Sequence, residues 1–125
     1  MGRSLQLAHV GHKAPIPLGA RVGPLLCSSG IAGKDPADGA LPADGEQQVA
    51  NAFANLKALL AAGDAEWRHV VKLTITLADD GLRDAVNAQW LAAFADPDDR
   101  PARHVNLQPL GHGMQVQLEV TAWVG

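Results

Sequence analysis

The chain has 125 residues, 47% of them hydrophobic and 18% charged, which is enough for one small core and rules out a disordered or low-complexity segment. Ten Lys and Arg against 13 Asp and Glu give a formal charge of −3, the wrong sign for electrostatic capture of nucleic acid; with no tyrosine and two phenylalanines there is no aromatic platform for stacked bases either. A single cysteine, Cys27, excludes an intrachain disulfide and a cysteine-built metal site and suits a reducing compartment. The opening residues lack the basic-then-apolar run of a secretory leader, and no apolar stretch nears the roughly 20 residues of a membrane span. These features predict a soluble, cytoplasmic, single-domain protein over residues 1–125 with no membrane or nucleic-acid partner.

Residues 5–10 and 19–28 read as two strands separated by GHKAPIPLG, where Pro15 and Pro17 bar helix and confine any strand to an edge. Residues 30–45 are dense in Gly, Pro and Asp and read as a long surface loop. Asp44 then opens a helix. It precedes Gln47 by the spacing of a capping box, Val49, Ala52, Phe53, Leu56, Leu59 and Leu60 follow at helical intervals, and Gly63 is expected to end the helix at positive φ. HVVKLTITLA (residues 69–78) alternates, which assigns Val71, Leu73, Ile75 and Leu77 to one face and Lys72, Thr74 and Thr76 to the other.

Asp79 and Asp80 are N-cap candidates for a second helix with Leu82, Ala85, Val86, Trp90, Ala93 and Phe94 as its stripe, stopped by ADPDDRP. Residues 102–107 and 114–124 are the last strands, and Met114, Val116, Leu118, Val120, Ala122 and Val124 share one face of the second. The order β-β-α-β-α-β-β predicts an α+β fold, a mixed sheet with two amphipathic helices on one face. The other face is expected to carry Lys72, Thr74, Thr76, Arg103, Gln115, Gln117, Glu119 and Thr121, mixed with Val105 and Trp123. It must meet water or another subunit.

Five histidines (His9, His12, His69, His104, His112) lack the i, i+4 spacing of a helical metal site, and no phosphate-cradling glycine loop is present, so neither metal nor cofactor is expected. Cys27 lies in an apolar segment and reads as a small packed hydrophobe rather than a nucleophile. Arg103 and Glu119 remain, assigned to the polar side of neighbouring strands. A guanidinium is well shaped to grip a carboxylate through two bonds, and a glutamate flanked by Gln117 and Thr121 can hold and deprotonate water. A structural ion pair across two strands explains the same pair at least as well from pattern alone.

The segments VGPLLCSSGIAG (22–33), HVVKLTITLAD (69–79), AVNAQW (85–90), RPARHVNLQPL (100–110) and QVQLEVTAWV (115–124), in this order over nearly the whole chain, resemble the RidA family, the YjgF-like enamine/imine deaminases. The resemblance implies a chorismate-mutase-like fold and a homotrimer with its clefts between subunits. It implies that Arg103 holds a substrate carboxylate, Glu119 orients the hydrolytic water, and the backbones of Gly30 and Val105 line the cleft, with Asn87 and Trp90 at its border. The implied reaction converts a small 2-imino carboxylate to a 2-keto acid and ammonia without a cofactor.

Three positions depart from that pattern. Ile16 stands where the family carries a tyrosine, Ile31 where a glutamine follows the glycine, and His104 where a small residue follows the PAR motif. They imply a more apolar cleft wall with an imidazole close by, and they sustain a second expectation: a non-catalytic trimeric small-molecule-binding or stress-related module. The ribonuclease label also attached to this family fits poorly with the acidic balance and the missing aromatic platform.

Overall fold

Seven strands form one sheet in the computed structural model, which describes residues 2–125: β1 (Ser4–Leu5), β2 (Gly19–Val22), β3 (Leu25–Ser28), β4 (Ile31–Ala32), β5 (Val70–Leu77), β6 (Ala102–Leu107) and β7 (Val116–Trp123). Their order is β1-β2-β3-β7-β5-β6, with β4 also beside β7. β5 and β6 run parallel because the chain crosses over through α2 (Arg83–Ala93), and the other pairings are antiparallel. The α+β expectation of a mixed sheet with two helices holds.

The alternation of β7 places Val116, Leu118, Val120 and Ala122 in the core, joined by Leu73, Ile75 and Leu77 of β5. Against them pack Val49, Ala52, Phe53, Leu56, Leu59 and Leu60 of α1 (Gly45–Ala62), with Val86 and Trp90 of α2. Each fully buried Leu or Ile contributes about 1.5–3 kcal/mol over its exposed state. No helix of the described residues is long and apolar enough to cross a membrane.

Asp44 caps α1 by accepting from the Glu46 amide at 3.2 Å, but the capping box does not form, because the Gln47 side chain bonds Asn51 instead. Gly63 ends the helix at φ −98°, and the left-handed residue is Asp64 at φ 57°. Close approach favours the glycine at 63, since a Cβ there would displace the Leu26 side chain. Residues 19–28 are two strands turning at Gly23 (φ 58°) and Pro24. Pairing of the first strand stops at Leu5, although Val10 is still buried.

Residues 30–45 are not simply a surface loop. β4 lies within them, Ile31 and Ala32 are buried, and α1 amides tie the segment down: Asn55 Nδ2 donates to Ala32 O (3.2 Å) and Lys34 O (2.8 Å), Asn51 Nδ2 to Gly33 O (3.2 Å). Gln48, fully buried, donates through Nε2 to Pro42 O (2.7 Å) and Gly113 O (3.0 Å) and accepts from the Gln115 amide (2.8 Å). These amides replace the backbone pairing that a Gly- and Pro-rich stretch cannot supply.

In β5 a bulge between Val70 and Lys72 buries Val70 and turns Val71 outward, 53% exposed, against its assignment to the core face. Asp79 caps a short 3-10 turn through the Gly81 amide (2.9 Å), whereas Asp80 pairs with Arg83; neither caps α2, which starts after Leu82 without a side-chain cap. Cys27 is exposed, in register with Ala20 and Thr121, and is not packed in the core.

Candidate active site

The registers on either side of β5 decide where the two candidate catalytic side chains go. Leu73 stands between Arg103 of β6 and Val120 of β7, and Thr74 stands between His104 and Glu119. In-register residues share a face of the sheet. Leu73 and Val120 are buried under the helices, so Arg103 lies on the helix side; His104, Thr74 and Glu119 form a row on the open side. This corrects two expectations. β6 and β7 are not neighbours, and Arg103 and Val105 are not on the polar face. An ion pair between Arg103 and Glu119 is therefore absent, and the two ion pairs formed among the described residues are Arg68–Glu66 and Arg83–Asp80.

Arg103 is held over the ring of Trp90, its guanidinium carbon 5.1 Å from the centroid. The α2 sequence presents Trp90 inward on the same stripe as Val86, and the indole is wedged against Phe94 (4.7 Å between centroids), which meets Trp67 edge-on at 5.4 Å. This aromatic stack gives the guanidinium a flat surface to lie on without a counter-charge. Burial pulls the Arg103 pKa below its ordinary value, and Arg83 nearby pushes it in the same direction. A cation held this way is primed for a carboxylate ligand.

Val105, opposite Ile75, packs at the edge of the core two residues along from Arg103. Asn87 is exposed on α2 one turn before Trp90. Arg103, Trp90, Val105 and Asn87 thus belong to one side of the molecule.

Glu119 is exposed on the open face, with Gln117 and Thr121 two residues away on the same face of β7. His104, also exposed, places Nε2 2.9 Å from Asn106 Oδ1. Gly30 abuts the Gln117 side chain, which fills the space a Cβ would need. Ile31 is fully buried opposite Leu118, so the position that departs from the family's glutamine sends its side chain into the core. Ile16 is 46% exposed in the segment before β2. Within one chain these groups do not converge on Arg103. Sequence reasoning missed Thr74 as the residue between His104 and Glu119; the parallel register that aligns them has no signature in composition.

Among the described residues no three His, Cys, Asp or Glu side chains gather to hold a metal. Arg103 on its aromatic bed can anchor a carboxylate, and Glu119 on the open face can accept a proton.

Residues 16–124 match the family described as Endoribonuclease L-PSP. A RutC family protein of Aquifex aeolicus (strain VF5) is 30% identical over 116 residues, covering 88% of this chain and 93% of that protein. Three solved structures share the fold. RidA from the Antarctic bacterium Psychrobacter sp. PAMC 21119 has a TM-score of 0.86 at 24% identity, over 97% of this chain and 98% of that one. The E. coli YjgF gene product has 0.85 at 24%, over 98% of each. E. coli TdcF with bound serine has 0.87 at 21%, again over 98% of each.

Proposed function

Because the chain belongs to the RidA/YjgF family, the family described as Endoribonuclease L-PSP, we propose that it is an enamine/imine deaminase acting on small 2-imino carboxylates in a cleft shared between the subunits of a homotrimer. The observation that carries this reading is the placement of Arg103 and Glu119 on opposite faces of one sheet, each without an ion-pair partner among the described residues. A site using both needs the helix-side edge of one copy against the open face of another. That open face has an apolar row for the contact: Val22, Leu25 and Trp123 are in register and all exposed.

Arg103 anchors the substrate carboxylate by two N–H bonds while Trp90 fixes the plane of the fork. The Glu119 of a second copy takes a proton from water as its oxygen attacks the imine carbon. The C=N π electrons move to nitrogen, which takes the proton that Glu119 accepted from water. The carbinolamine then collapses: its hydroxyl proton passes through Glu119 to the nitrogen, the C–N bond breaks as the carbonyl forms, and ammonia and a 2-keto acid leave. Imines are already electrophilic, so positioning and one base suffice. The serine bound in the TdcF structure is a ligand of the size and carboxylate chemistry this reading calls for. A reducing, cytoplasmic setting fits the lone cysteine, exposed at the surface of the chain.

The test is ammonia release from 2-imino acids generated by an amino-acid oxidase. Acceleration by the wild type and its loss in Arg103→Ala support the proposal; equal rates with and without the protein overturn it. A non-catalytic binding module is the second reading, favoured by Ile16 in place of the family's tyrosine. Binding of 2-keto acids without turnover of the matching imines would establish it.

A further inference from the structure

Residues 95–101 carry the chain from the end of α2 to the start of β6, and Arg100 lies in them, three residues before Arg103. Asp96, Asp98 and Asp99 stand in the four residues before it, yet neither ion pair formed among the described residues includes Arg100. Asp96 is spent on the turn itself, its Oδ1 accepting from the Asp98 amide at 2.9 Å. Arg100 instead reaches back to α2: Nε donates to Phe94 O at 2.9 Å and Nη2 to Ala95 O at 3.4 Å.

The last carbonyls of a helix have no partner within it, and α2 has no basic residue in its last turn, so Arg100 meets them from outside. Phe94 is thereby held at both ends of its backbone, since its amide donates to Trp90 O at 2.8 Å and its carbonyl accepts from Arg100. Its buried ring stands 4.7 Å from the Trp90 ring, over which the Arg103 guanidinium lies at 5.1 Å. Pro101 fixes one backbone dihedral between the two arginines and disfavours helical backbone at Arg100. Two arginines of one short segment therefore grip the same helix end, one by its carbonyls and the other by its aromatic face.

We infer that Arg100 is a positioning residue for Arg103: by pinning Phe94 it fixes the plane of the Trp90 ring, and with it the plane in which the Arg103 fork meets a carboxylate. Arg100 acts through Phe94 and Trp90 and not on the substrate itself. Its effect on turnover rests on the deaminase reading; its effect on the placement of Arg103 does not.

The experiment compares the wild type, Arg100→Met and Arg100→Lys. Protons held over an aromatic ring resonate upfield, so the Arg103 side-chain signals, assigned by their loss in Arg103→Lys, report the stacking directly. Arg100→Met should lose more than half of that upfield shift while the Leu73 and Ile75 methyl signals stay in place, and Arg100→Lys, which keeps a donor for Phe94 O, should retain most of it. An undiminished shift in Arg100→Met, or a loss as complete in Arg100→Lys, would overturn the inference. Should Arg100→Met not fold, Phe94→Leu carries the same test, because it removes the ring against Trp90 and leaves the backbone carbonyl that Arg100 bonds; an undiminished Arg103 shift there overturns the inference as well. In ammonia release, Arg100→Met should raise KM about three- to tenfold with kcat little changed, and a fall in kcat at constant KM would contradict a role in holding the anchor. A wild type without turnover sinks the deaminase reading alone, and the Arg103 signals still decide the positioning.

Discussion

Arg103 and Glu119 stand two strands apart on opposite faces of the same sheet, with Leu73 and Thr74 of β5 between their strands. At about 4.8 Å per strand the backbones are only about 10 Å apart, yet the side chains leave in opposite directions. The plain ion-pair explanation of the two residues is thereby removed. Each is a charge with no ion-pair partner among the described residues, one cushioned on Trp90 and the other on an open polar row.

Arg103→Met should abolish turnover with little change in thermal midpoint. It relieves the burial that lowers the Arg103 pKa and loses the Trp90 contact, worth about 0.5–1 kcal/mol, so the two effects oppose. A cation with a lowered folded-state pKa carries its cost wherever it is protonated in both states. The cost is relieved only in strong alkali, so the Arg103 contribution to stability is flat across neutral pH. Melting curves of wild type and variant between mildly acidic and mildly alkaline pH should run parallel. Arg103→Lys keeps the charge without the fork, and kcat/KM should fall about 10- to 100-fold.

Glu119→Gln keeps shape and removes the base. Its kcat for ammonia release should drop about 100- to 10,000-fold with KM little changed. A rise in KM at constant kcat would instead make Glu119 a binding group.

Much of this was readable from the residues. The 3.6-residue stripe of α1, the alternation of β7 and the cap at Asp44 all hold. The face of β6 is not legible in the sequence, because ARHVNL alternates without a clear apolar side and charge alone pairs Arg103 with Glu119. Its register follows from the parallel pairing with β5. β4 was hidden because two residues show no period and their burial depends on Asn51 and Asn55, polar residues on a helix read for its apolar stripe. Val71 leaves the apolar face its alternation predicts because a bulge resets the register. The proposed trimer and substrate class rest on the family resemblance and not on any pattern in these residues.

Gln48→Leu should destabilise the fold although it adds a buried apolar side chain. It strands the Gln115 amide and the Pro42 and Gly113 carbonyls, at about 1–3 kcal/mol for each group left without a partner. Gly33→Ala should also lower stability, by about 1–3 kcal/mol, since the new Cβ meets the backbone of Gln48, which cannot swing aside. Urea unfolding at equilibrium measures both.

Trp123→Glu places a charge in the exposed apolar row with Val22 and Leu25. If the chain assembles as proposed, light scattering after gel filtration should show a trimer for the wild type and monomers for the variant, with activity lost in parallel while circular dichroism of the chain is kept.

The most direct measurement mixes two dead proteins. Arg103→Ala and Glu119→Gln subunits, unfolded and refolded together in equal amounts, should regain activity. About a quarter of the clefts then pair an intact arginine with an intact glutamate from different copies. Recovery toward a quarter of wild-type turnover is the result predicted; a mixture as inactive as either variant alone would contradict a site shared between subunits.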